Sequence, residues 1–182
     1  MVNLPSGNVA IAVDGLSIHE ERGWRIASLR YFDIAGRFAA TVRETVGRPL
    51  PEPLRATRVG DGAQGEQVVL LWCSPTETLF LSSDAVRFAE LERRLAAAED
   101  GCMVDQTGGV SIFRVQGIRA RDLLLRLGAA TAIPALGEAR SGRVAELHVL
   151  AACVHPGEFM LLVERVYADH LREWIRATVE DL

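Results

Sequence analysis

The sequence predicts an α+β protein made of two related strand-helix-strand-strand-helix halves with antiparallel strands. Three observations predict this fold class. Apolar residues make up 49% of the 182 residues and charged residues 24%, as in soluble globular domains. Short apolar stretches with strand character alternate with longer segments whose apolar residues recur at helical spacing. Two stretches of sequence also recur in the same order, which is typical of an internal duplication.

The first half follows residues 1–23, where Gly, Pro and Asn occur without a sustained hydrophobic period. We therefore predict an N-terminal arm (1–23) and a single domain (24–182) with pseudo-repeats at about 24–100 and 101–182. In the first helix, Asp33 is placed to cap the start and Gly47 to end it. The predicted elements are a strand (24–32), that helix, a short extended piece (54–59), two strands (68–73 and 79–81) and a helix (83–98).

The second half repeats this order. The predicted elements are a strand (110–115), a helix (118–127), a variable linker (128–142), two paired strands (144–154 and 159–163) and a helix (167–179). Two matches support the duplication: Leu29-Arg30 lies 84 positions before Phe113-Arg114, and the hairpin PTETLFL lies 81 positions before PGEFMLL. In each hairpin the Pro sets the turn and a Glu flanks it before an apolar strand.

All 20 basic residues are arginine, and this narrows the chemistry open to the chain. Without lysine the chain forms no Schiff base and carries no pyridoxal phosphate or P-loop. The net charge of −4 and the scattered arginines argue against nucleic-acid binding. The longest purely apolar stretch, 68–73, is far shorter than the ~20 residues of a membrane span.

Three cysteines, Cys73, Cys102 and Cys153, are an odd number without tight spacing and fit a reducing compartment. The N-terminal residues lack the positively charged segment that begins a secretory signal. We therefore expect a cytoplasmic protein without nucleic-acid or membrane partners.

Two motifs suggest sites that their context does not support. GDGAQG (60–65) matches the dinucleotide pattern G-x-G-x-x-G, but an apolar strand follows where that pattern needs a helix. Cys153 and His155 are two apart in a strand, yet no second spaced pair completes a metal site. No serine or cysteine lies in a recognised nucleophile motif, so we predict neither catalytic residues nor metal ligands.

The candidate contacts with a ligand or a partner chain are polar residues around the strand 110–115. Asp105 and Thr107 precede that strand, and Arg114 lies within it, where a guanidinium can pair with a carboxylate. Functional and structural roles are equally open for Asp105 and Arg114. Arg121 begins the following helix and is the fourth candidate, whereas Arg119 fits a solvated row along that helix.

The stretch VDQTGGVSIFRVQGIRARDLLLRL (104–127) resembles the gamma subunit of heterotetrameric sarcosine oxidase. The family shares an acid-x-Ser/Thr start, an apolar strand, a Gly and an Ala-Arg-Asp helix start. Here these are Asp105, Thr107, Gly117 and Ala120-Arg121-Asp122. Trp24, the helix end GRPLPEP and the hairpin SPTETLFL also resemble that family.

The resemblance implies the folate-binding fold of the glycine-cleavage T-protein and a non-catalytic, structural gamma-type subunit. Its expected partners are the alpha, beta and delta chains of an enzyme that demethylates sarcosine to glycine. The resemblance places FAD, FMN, NAD, tetrahydrofolate and zinc on those other chains and no cofactor on this one. Three alternatives stay open: a gamma-like subunit of N-methylglutamate dehydrogenase, a stand-alone folate-binding or one-carbon-transfer protein, and a homo-oligomer of the isolated chain.

Overall fold

The structure is a computed structural model that describes residues 10–60 and 67–182. It divides into two compact units. The central unit spans Gly23–Gly108, and the terminal unit combines the described residues up to Arg22 with Gly109–Leu182. Among the described residues, no helix is long and apolar enough to cross a membrane.

The described residues form strands and helices in mixed order. The strands are β1 (Ala10–Val13), β2 (Leu16–Glu21), β3 (Arg25–Tyr31), β4 (Ala56–Val59), β5 (Val68–Ser74), β6 (Glu77–Ser82), β7 (Gly101–Asp105), β8 (Val110–Gln116), β9 (Glu138–Val144), β10 (Leu147–His155) and β11 (Glu158–Glu164). The helices are α1 (Arg37–Val46), α2 (Ala85–Leu95), α3 (Ala120–Arg126) and α4 (Ala168–Glu180), with a 3₁₀ turn at Arg165–Tyr167 before α4.

The central unit is one antiparallel sheet in the order β4-β5-β6-β3-β7, with α1 and α2 on one face. Alternation along the strands turns Leu29, Leu70 and Phe80 toward the helices, where they pack against Phe38 and Phe88. This apolar layer is the core of the unit.

The terminal unit is an antiparallel sheet in the order β1-β2-β8-β11-β10-β9, with α3 and α4 on one face. Ile18, Val115 and Leu161 point toward the helices and pack with Leu123 and Leu171. The other face of the sheet carries both apolar and charged side chains.

Both units follow one plan, so the predicted α+β fold with two related halves is confirmed. The order β4-β5-β6-β3-β7 of the central unit matches β9-β10-β11-β8-β2 of the terminal unit. Between its first helix and its hairpin, each half has one strand that the strand-helix-strand-strand-helix plan does not include, namely β4 and β9. The extended piece expected at 54–59 is β4, and β9 lies largely in the segment expected to be a linker.

The structure differs from three expectations about these elements. Within the expected arm, residues 10–21 form the hairpin β1-β2, because the alternating Leu16 and Ile18 are buried against the terminal core. The cap of α1 comes from Asp100, which accepts from the Phe38 amide at 3.0 Å, whereas Asp33 only closes a turn with Ala35. Residues 101–105, expected in the second pseudo-repeat, form β7 in the central unit.

The repeat is also offset from the sequence match. Arg30 of β3 pairs with Glu77 of β6, and Gln116 of β8 pairs with Glu158 of β11, so Arg30 corresponds to Gln116 and not to Arg114. The difference arises because the connection from Arg30 to α1 is longer than that from Gln116 to α3.

Candidate functional site

Arg114 is the one charged side chain of β8, in the interior of the six-stranded sheet. Phe113 and Val115 face the helices, so strand alternation places Arg114 on the opposite face. There its neighbours come from the flanking strands β2 and β11. Only 11% of the Arg114 side chain is exposed.

Arg114 donates to two buried carboxylates. Its Nε and Nη2 both pair with Glu21, and Nη2 lies 2.9 Å from Oε2 of that residue. Its Nη1 donates to Oε1 of Glu158, whose Oε2 accepts from Nε2 of Gln116 at 2.8 Å. His19 shares this face of β2, with its Nε2 4.0 Å from Oε1 of Glu21. We call these five residues the Arg114 cluster.

Burial and neighbouring charges set the ionisation of the Arg114 cluster. Desolvation alone would lower the pKa of Arg114, but Glu21 and Glu158 outweigh it, so the pKa is raised and the guanidinium stays charged. Burial is the main cause that lowers the pKa of His19 below 6.5, so its imidazole is neutral near pH 7. An arginine fixed between two carboxylates links neighbouring strands, since its guanidinium is no nucleophile and does not deprotonate near neutral pH.

Asp105 and Thr107 close the end of β7 in the central unit. Asp105 accepts from Nη2 of Arg25 at 2.9 Å and from the Thr107 amide at 2.8 Å. The Thr107 hydroxyl accepts from the Ile26 amide at 3.0 Å. Hydrogen bonding from the Thr107 side chain is the largest of the effects that lower the pKa of Asp105. These contacts fix the chain where it leaves the sheet.

Arg121 lies exposed in the first turn of α3, on the helix side of the terminal sheet, away from the face that carries Arg114. The four predicted contact residues therefore do not form one site: Asp105 and Thr107 belong to the central unit, and Arg114 and Arg121 to the terminal unit. Arg119 donates to the Leu182 carbonyl at 2.7 Å and is not a solvated helix residue.

Sequence reasoning missed four members of the Arg114 cluster, namely His19, Glu21, Gln116 and Glu158. The alternation of Leu16 and Ile18 with His19 and Glu21 was a usable signal for a two-faced strand. For Glu158 the signal was the Pro-x-Glu pattern that both hairpins repeat, which we interpret from the sequence as part of the turn.

The central unit repeats this contact in a simpler form. Glu77 corresponds to Glu158; its Oε1 accepts from the Ser28 hydroxyl at 2.5 Å and lies 3.7 Å from Nε of Arg30. In both units, therefore, the glutamate of the repeated hairpin joins its strand to the next one.

A shallow depression of about 450 Å³ lies in the central unit where β3 ends and β7 begins. Arg30, Phe32, Glu77 and Cys102 are among its lining residues.

Burial raises the pKa of the Cys73 thiol to about 11, so that thiol is no nucleophile near neutral pH.

The structure shows where Cys153 and His155 lie, and it describes one residue of the motif GDGAQG. Cys153 is 4% exposed in the terminal core, and His155 is exposed beyond a register shift in β10. Within residues 10–60 and 67–182, no three His, Cys, Asp or Glu side chains are grouped to hold a metal ion. The motif GDGAQG lies outside the described residues apart from Gly60, and strand β5 follows it, as predicted.

Comparison of the sequence with protein-family models and with curated proteins finds no match. Solved structures do match. A chain of heterotetrameric sarcosine oxidase from Corynebacterium sp. U-96 aligns at 18% identity, with a TM-score of 0.78, over 94% of this chain and 88% of that one. The glycine cleavage system aminomethyltransferase T from Bartonella henselae aligns at 12% identity and a TM-score of 0.69, over 88% of this chain. The present chain spans 45% of that aminomethyltransferase.

Proposed function

We propose that this chain is a gamma-type, non-catalytic structural subunit of a cytoplasmic heterotetrameric sarcosine oxidase. The observation that carries the proposal is the likeness to a chain of such an enzyme across nearly the full length of both chains. The stretch 104–127 supports the proposal independently, since its resemblance to gamma subunits depends on the residues and not on the fold.

The geometry of the described residues agrees with a structural role. The buried charges of the Arg114 cluster bind one another, and the other candidate contacts brace the end of β7. In this proposal FAD, FMN, NAD, tetrahydrofolate and zinc are held by the alpha, beta and delta partners, and this chain holds none of them.

Co-expression tests the proposal. The chain is produced with the alpha, beta and delta chains of a sarcosine oxidase-type enzyme from the same host, and the mixture is separated by size exclusion. We expect one complex that releases hydrogen peroxide with sarcosine, while the isolated chain is colourless and inactive. A chain that never co-elutes with those partners would sink the proposal. N-methylglutamate as substrate in the same assay distinguishes the related dehydrogenase.

The likeness to aminomethyltransferase T favours a second candidate, a stand-alone folate-binding or one-carbon-transfer protein. A thermal shift with tetrahydrofolate separates the two. Ligand at ~100 times its dissociation constant adds about 2.7 kcal/mol to the stability of a true binder. We expect no shift for a gamma-type subunit, and a clear rise in Tm would favour the alternative.

A further inference from the structure

Strand β7 is an edge strand that, among the described residues, pairs with β3 on one side and with no strand on the other. At the two ends of the β3-β7 ladder, the Phe32 amide donates to the Asp100 carbonyl at 3.0 Å and the Gln106 amide donates to the Ile26 carbonyl at 2.7 Å. Because hydrogen-bonded pairs alternate along an antiparallel ladder, Cys102 and Val104 must bond inward to β3. The amides and carbonyls of Gly101, Met103 and Asp105 therefore point away from β3, toward the side of β7 on which the described residues place no strand.

The terminal unit shows what fills the equivalent edge. There β2 corresponds to β7, and its outer side is paired with the antiparallel strand β1. By the shared register Met103 corresponds to Ile18, which pairs with Ile11 of β1. The fold thus has a place for one more strand in each unit, and among the described residues that place is taken only in the terminal unit.

The side chains of β7 do little to discourage pairing. Natural edge strands are protected by Lys, Pro or central charges, and β7 has none of these before its last residue. The other edge strand of the same sheet, β4, carries Arg58. Val104 is 39% exposed, and the depression begins beside Gly101, where Phe32 is 87% exposed.

We propose that β7 binds an extended segment of another polypeptide as a sixth, antiparallel strand of the central sheet. Main-chain hydrogen bonds to Gly101, Met103 and Asp105 supply the affinity, as in other cases of β-strand addition. An apolar side chain of the segment lies beside Met103, as Ile11 lies beside Ile18. Because the segment runs antiparallel to β7, its C-terminal end reaches the depression, where Phe32 and Arg30 offer an apolar and a charged contact. This inference does not depend on which complex the chain belongs to.

A matched pair of variants at one position tests the proposal. Met103→Pro removes the outward amide and leaves the bonds of β3 to Cys102 and Val104 in place. Met103→Ala removes the same side chain and keeps the amide. The probe is a synthetic peptide of residues 8–15 of this chain, which contains the natural edge sequence AIAV. It is titrated into the isotope-labelled full chain to about 1 mM, which detects binding as weak as about −4 kcal/mol.

We expect the peptide to shift the amide resonances of β7 and to slow exchange of the Gly101 and Met103 amides by about tenfold or more. The Ala variant should retain this binding, and the Pro variant should lose it while its β3 amides keep their protection. Three results would overturn the proposal: no change in β7 at 1 mM peptide, changes confined to β2, or equal binding by the Pro and Ala variants. A concentration-dependent dimer that Met103→Pro abolishes would assign the edge to a second copy of the chain and overturn the proposed partner.

Discussion

Arg114 is a buried cation held between two buried carboxylates. Removing it leaves the carboxylates of Glu21 and Glu158, which are 7% and 11% exposed, buried without their cation. Breaking a buried pair in this way costs about 3–5 kcal/mol, so Arg114→Ala should lower the free energy of unfolding by that order. Urea denaturation measures it, with Arg121→Ala as the control, since an exposed arginine should change stability by less than about 0.5 kcal/mol. Equal effects of the two substitutions would show that the Arg114 cluster contributes nothing special.

Helix α1 depends on a residue far from it in sequence. Asp100 accepts from the Phe38 amide through both carboxylate oxygens, at 3.0 and 3.1 Å, and so caps a helix whose own Gly36 offers no side chain. A Cβ at Gly36 would lie 2.2 Å from Asp100 Oδ2, so this close approach requires glycine. Asp100→Ala should cost about 1 kcal/mol, the usual value of a lost N-cap. Thermal unfolding checks it against Glu99→Ala, a neighbouring exposed acid that should leave Tm almost unchanged.

At the scale of the whole molecule, the two units differ in how the chain builds them. The central unit is one continuous segment, whereas the terminal unit needs β2 from the N-terminal part of the chain. Deleting residues 1–22 removes the pairing of β2 with β8 and the burial of Leu16 and Ile18. We expect hydrogen exchange to show lost protection throughout β8 and β11 and retained protection in β3 and β6. Deletion of residues 1–9 alone is the control, because it keeps both strands of the hairpin, and it should leave all four protected.

The sequence predicts the elements that depend on local interactions, and it does not predict the contacts between residues far apart in the chain. Apolar runs and helical periods are local, and they placed β5, β8, α2 and α4 within a few residues of their observed bounds. The hairpin β1-β2 was missed because its strands are short and gain their burial from residues 109–182. The Arg114 cluster could not be assembled for the same reason: Glu21 and Arg114 are 93 residues apart, and only the strand order brings them together. The cap of α1 by Asp100 likewise spans 62 residues.

The position of β2 beside β8 has a consequence for synthesis on the ribosome. The N-terminal hairpin is the first part of the sheet to emerge, yet its pairing partner is made only after the whole central unit. The central unit can therefore collapse during translation, before β8 is available to pair with β2 of the hairpin. Closing so long a loop slows the last stage of folding, and the exposed edge of β2 is open to wrong pairing in the meantime. The cell's chaperones should accordingly engage nascent chains of this protein at their N-terminal hairpin and release them once β8 has emerged.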